Sequence, residues 1–158
     1  MNADLKKLHD ALARIDAWFA KHRPRFFAGL HPGADLTEIK SLPEELRVLL
    51  AWHNGQSGDF VGCFEEHWFL MSAADIREAH QGTTLIPFLD DDAGNYQCLD
   101  TKRSPCPVRL ALLEETNAEI VADSLADWMG AFADNLEAGK YVEDPERGTF
   151  MFSPAHAP

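Results

Sequence analysis

The spacing of apolar residues changes twice along this chain, and those two changes limit what it can fold into. Over residues 4–22, Leu5, Leu8, Leu12, Ile15 and Phe19 recur at steps of three and four, the period of one face of a helix. Arg23-Pro24 stops the pattern, because proline disfavours helical backbone in the residue before it. Residues 24–36, with Pro24, Gly29, Pro32 and Gly33, read as a loop that Phe26-Phe27 pins to the core. A second helix is expected over 43–53. Pro43 suits its first turn, Glu44 and Glu45 sit at the positive end of the helix dipole, and Leu46, Leu49, Leu50 and Trp52 form its apolar face. Asn54-Gly55 supplies residues able to take the left-handed conformation that closes many helices.

From residue 60 the apolar residues gather in short runs bounded by turn formers. Residues 60–64 and 67–71 read as strands, and Ser72 caps a short helix with Asp75 three residues on. Residues 85–89 read as a strand whose proline, Pro87, belongs at a sheet edge. Residues 90–95 form a turn, and 96–99 return as a strand. Residues 108–113 and 118–122 form another hairpin around 114–117. The helical period returns over 125–138, where Leu125, Trp128, Met129, Phe132 and Leu136 share a face. Ser124 caps that helix and Gly139 fits the position just past its end. The tail, 141–158, adds one strand at 149–152. Helices, then strands broken by one short helix, then a helix, is an α+β order with one mainly antiparallel sheet, not the alternation of a parallel α/β fold. No repeat, linker or low-complexity segment interrupts it, so residues 1–158 read as one domain, long enough to bury a core.

The net charge of −12 is unevenly spread: residues 1–25 carry +3 and residues 26–158 carry −15. So acidic a body repels phosphates, which argues against nucleic acid as a partner. It serves solubility, or it speeds association with a basic protein. No apolar run approaches the roughly 20 residues of a membrane span, and the charged, amphipathic start lacks the apolar stretch of a signal peptide. Three cysteines, Cys63, Cys98 and Cys106, without an export signal read as reduced thiols, so a cytoplasmic protein is expected.

The cysteine and histidine spacings do not make a structural zinc site. The run Asp90-Asp91-Asp92-Ala93-Gly94-Asn95 has glycine at its fifth position, not the sixth that an EF-hand loop requires, and reads as a solvated hairpin turn. No nucleophile elbow, P-loop or dinucleotide-binding glycine pattern is present. His53 reads as a helix C-terminal residue. Neither a catalytic residue, a cofactor nor a metal is therefore expected.

Several stretches together resemble one family. Leu42-Pro43-Glu44-Glu45-Leu46-Arg47 followed by His53-Asn54-Gly55-Gln56 resembles the "L-P-x-x-[LY]…N-G" signature of the SUKH superfamily, in particular the bacterial branch named after the fungal cell-wall regulators Smi-one and Knr-four. Leu30-His31-Pro32-Gly33-Ala34 resembles a frequent lead-in to it. The stretches 68–76, 86–100 and 120–128 resemble the family's strand with short helix, its central hairpin, and its last strand with closing helix. The resemblance spans about residues 30–139. It implies a curved, mostly antiparallel sheet with helices packed on one side, no enzyme chemistry and no cofactor. It also implies a protein-binding role: an immunity protein neutralising a cognate toxin, many such toxins being nucleases, or else a regulatory scaffold bound to a host protein. An enzyme or metal-binding domain ranks third. With the acidic balance, the expected binding surface is built from acidic turns, namely Glu65 and Glu66, Asp90, Asp91 and Asp92, and Glu114 and Glu115, facing a basic toxin. The alternative is that these acids only keep the turns soluble.

Overall fold

The structure is a computed structural model that describes residues 2–58, 62–80 and 82–156. Helix α1 (Ala3–His22) buries the expected stripe of Leu5, Leu8, Leu12, Ile15 and Phe19, and the Asn2 side chain caps its start by accepting from the Leu5 N–H. Proline at 24 ends α1, but the chain does not become a loop. It starts a new short helix, α2 (Pro24–Ala28), because proline's missing N–H costs nothing at a helix start and one turn suffices to bury Phe26. A further turn, α3 (Leu36–Ile39), is capped by Asp35. Helix α4 (Glu44–Trp52) follows, starting one residue later than expected, so Pro43 takes the capping place and not the first turn.

The residues after α4 are a clamp and not a helix-closing turn. His53 is already extended, so Gly55, with φ +79°, does not close α4. A Cβ on Gly55 would lie 2.7 Å from the Ser72 nitrogen. Glycine is needed there because two backbones touch. On either side, Asn54 Oδ1 accepts from Ala73 N (2.7 Å) and Gln56 Oε1 accepts from Leu70 N (2.9 Å). His53 reaches back to Asp16 on α1 (2.9 Å) and the His31 carbonyl (2.8 Å). Four consecutive residues thus tie α1, α4 and the first strand together.

Strands β1 (Phe69–Leu70), β2 (Leu85–Asp90), β3 (Tyr96–Asp100), β4 (Val108–Ala111) and β5 (Glu119–Ala122) form a five-stranded antiparallel sheet in chain order. Helix α5 (Ala73–Ala79) bridges β1 and β2, with a reciprocal capping box between Ser72 and Asp75. β2 lies inside the sheet, yet β1 pairs only with its Leu89 and Asp90, so the stretch around Pro87 has a strand on one side only. That satisfies the edge requirement locally. Of the strand expected over 60–64, Phe60 and Val61 lie outside the described residues. Cys63 and Phe64 are buried without strand pairing, and the chain instead makes a tight turn at Glu65, with Phe64 N donating to Trp68 O (2.8 Å).

Directly paired residues share a face of the sheet. Leu99 is level with Ile86 and Val108, all buried in the core, while Cys98 is level with Pro87 and Arg109 on the opposite face. There Arg109 bonds Asp100 (2.7 Å) and the Ala118 carbonyl (2.8 Å). Helix α6 (Leu125–Glu137) lies on the core side: Trp128 meets Phe88 edge-on and donates its indole N–H to Gln97 (2.8 Å). α6 also runs beside α1, where Arg14 pairs with Asp134 (2.6 Å) and Glu137 (2.5 Å). The tail forms a hairpin, β6 (Tyr141–Glu143) with β7 (Phe150–Phe152), as a separate two-stranded sheet where one strand was expected. The hairpin is held by Glu66 N to Phe150 O (2.7 Å), Phe150 N to Glu66 O (2.9 Å) and the burial of Phe150.

Candidate functional site

Where the core side of the sheet, α6 and the tail hairpin meet, a groove of about 750 Å³ opens, within the ~300–1,000 Å³ typical of ligand sites. Trp128, Ala131 and Asn135 line it from α6, Leu110 and Leu112 from the end of β4, and Val121, Ala122 and Asp123 from β5 and its exit. Tyr141 and Phe152 belong to the hairpin, and Glu65, Glu66 and His67 to the tight turn. Val121 and Phe152 are exposed although apolar, 44% and 39%. Among the described residues five carboxylates line the groove (Glu65, Glu66, Asp91, Asp123 and Asp127), and neither a lysine nor an arginine does. Asp127 pairs outward with Lys7 on α1.

Of these acids Glu65 is the unusual one. The turn forces it inward: Trp68 N donates to its carbonyl (2.8 Å), and Glu66 beside it takes a left-handed φ of +51° to complete the reversal. Glu65 is only 8% exposed, and its Oε2 accepts from the Tyr141 hydroxyl at 2.9 Å. Burial, reinforced by the neighbouring Glu66 charge, pushes its carboxyl up to about 7 against the pull of the Tyr141 hydrogen bond. Burial and the Glu65 charge hold the Tyr141 phenol above its usual range. Asp91 goes the other way. Burial opposes ionisation, but the Asn95 side chain and the N–H groups of Ala93 and Asn95 all donate to its carboxylate and hold it below its usual value.

The seven acids expected to form a surface divide. Glu65, Glu66 and Asp91 come together in the groove. Asp90 stands at the end of β2, its carboxyl raised to about 6 by burial and by Asp75 and Asp92. Asp92 is exposed at the apex of its turn with φ +61°, and Glu114 and Glu115 are exposed in the β4–β5 connection. These four do not line the groove. Sequence reasoning misses Asp123 and Asp127, which flank the Ser124 cap and look like helix-start residues, and it assigns Trp128 to the core.

Among the described residues, no group of three or more His, Cys, Asp or Glu side chains is placed to hold a metal. Cys63, Cys98 and Cys106 are buried free thiols, and burial pushes the last two up to about 12. The ring of His53 is taken by Asp16 and a backbone carbonyl. Among the described residues, no helix is long and apolar enough to cross a membrane.

An antiparallel five-stranded meander under a closing helix makes this an α+β domain. The sequence matches the SMI1 / KNR4 family (SUKH-1) over residues 39–131, more than half of the chain, and the chain belongs to that family. The family's domains are generally non-catalytic. No curated protein matches the chain. The matched span runs from the end of α3 into α6, so it contains the whole five-stranded sheet, whereas α1, α2 and the hairpin lie outside it.

Proposed function

We propose that this protein is a non-catalytic immunity domain that neutralises a basic toxin, such as a nuclease domain, by seating part of it in the groove. The observation that carries this reading is the union, in one groove, of exposed apolar side chains with five carboxylates and, among the described residues, neither lysine nor arginine, on a chain of net charge −12. A nuclease must be basic where it grips phosphate. An acidic protein can therefore occupy that surface by presenting the same sign of charge. The charged rim speeds the encounter, and the buried contacts set how long the complex lasts.

The test compares capture of partners from the native cell by the parent protein and by Val121→Lys with Asp123→Lys, two changes on the groove's surface. A basic partner lost by the double variant supports the reading. Its association rate in stopped-flow mixing should fall steeply with salt, since screening shortens to about 3 Å at 1 M. An acidic partner, or a rate indifferent to salt, would falsify the electrostatic mechanism. A toxin gene beside this one in the genome separates immunity from a constitutive scaffold role.

A further inference from the structure

Glu65 is a carboxylate that the fold buries without giving it a cation. Among the described residues no lysine or arginine pairs with it, and the Tyr141 hydroxyl is its one side-chain partner. A carboxylate accepts about four hydrogen bonds, so most of its capacity is left over. Its surroundings in the groove are aromatic. Tyr141 stacks on Phe150 (centroids 4.7 Å, 14°) and leans on Phe152 (5.5 Å), and Trp128 lies further along α6.

We propose that the Glu65 end of the groove is a socket for one arginine side chain of the partner, its guanidinium bonded to the Glu65 carboxylate and lying against the Tyr141 and Phe152 rings. The proposal rests on the groove being the partner-binding site. Charge complementarity argues for a cation, because among the described residues five carboxylates line the groove and neither a lysine nor an arginine does. The aromatic walls argue for arginine over lysine. A guanidinium is planar, stacks on rings and is more weakly hydrated than an ammonium, so it loses less on entering a partly dry site. Burial leaves Glu65 near the edge of protonation, at about 7, and a guanidinium supplies the opposite charge that would hold it ionised. The volume of about 750 Å³ exceeds a single side chain, so residues flanking the arginine fit along Val121 and Trp128.

The probes are three capped tripeptides, acetyl-Gly-X-Gly-amide, with X arginine, lysine or citrulline, titrated into the ¹⁵N-labelled full chain. Citrulline keeps the shape of arginine and removes its charge. The arginine peptide should saturably shift the Trp128 indole N–H and the amides around Glu65 and Phe152. The lysine peptide should bind several-fold more weakly and the citrulline peptide at least tenfold more weakly. Glu65→Gln still accepts the Tyr141 hydroxyl, so it should keep a folded spectrum while weakening the arginine peptide about tenfold. Equal binding of citrulline, shifts centred on Glu114 and Glu115 instead of the groove, or an unchanged affinity in Glu65→Gln would each overturn the socket. Partner capture separates the two readings. If Val121→Lys with Asp123→Lys loses the partner and Glu65→Gln binds it as tightly as the parent, the groove stands and the socket falls. If the double variant keeps the partner, the groove reading itself falls.

Discussion

Two acidic turns in this protein look alike in sequence and behave oppositely in the fold. The turn at 64–68 and the turn at 91–95 each carry consecutive acids, and each places one acid in the left-handed region, Glu66 at φ +51° and Asp92 at φ +61°. The 91–95 turn closes on itself: Asp91 gathers the N–H groups of Ala93 and Asn95 and the Asn95 amide. The 64–68 turn satisfies its backbone against β7 and sends Glu65 into a partly dry space. One carboxyl is pulled down and the other pushed up, by hydrogen bonds in the first case and by desolvation in the second. An acid spent on local turn geometry is closed to a ligand. An acid held by long-range packing keeps spare capacity, and that distinction separates Asp91 from Glu65 within one groove.

The sharpest way to break the contrast is to remove what holds the first turn in place. Phe64 is fully buried and touches the rings of Phe19, Phe26, Trp52, Trp128 and Phe132. Phe64→Ala should cost about 3–5 kcal/mol in urea unfolding. A loss under 1 kcal/mol would mean the turn is not anchored there. Next in size is the pH dependence. Glu65 binds its proton more tightly folded, at about 7, than unfolded, at 4.5. The folded state thus holds the extra proton between those values, and stability is greatest below the lower one and declines as pH rises through the upper one. Glu65→Gln should flatten that decline and be more stable than the parent at pH 8, by about 3 kcal/mol at most. Equal slopes from pH 4.5 to 7 in the two proteins would contradict the burial of Glu65. For Asp91 the sign reverses: its folded carboxyl lies below 3.8, so its contribution is present above that value and disappears as pH falls through the folded value. Asp91→Ala should cost about 1 kcal/mol at pH 7, the worth of a self-bonded turn, and less as pH falls below 3.8. Smallest of all, Glu114→Gln and Glu115→Gln should each move stability by less than about 0.5 kcal/mol, since both side chains are exposed.

The long periodic elements were legible because they state their own geometry. The Leu5–Phe19 stripe, the Ser72 and Ser124 caps and the strands either side of 90–95 stand in the structure where pattern and capping put them. The short elements were not. Pro24 and Gly29 look like loop punctuation, and only the burial of Phe26 turns the residues between them into a helix. Glu65 and Glu66 could be named as acids, but whether an acid faces water or a cleft depends on Tyr141 and Phe150, more than 70 residues away. Asp123 and Asp127 carried a sufficient local explanation as neighbours of a helix cap, which hid their second position on the groove.

The tail hairpin takes no place in the five-stranded sheet, yet it supplies Tyr141 and Phe152 to the groove. Exchanging its groove-facing side chains while keeping the buried Phe150 and its backbone pairing with Glu66 would shift no strand register in the five-stranded sheet. On the proposed reading of the groove, recognition can diversify at the hairpin while the scaffold beneath it stays as it is, much as a tool takes a new bit without a new handle.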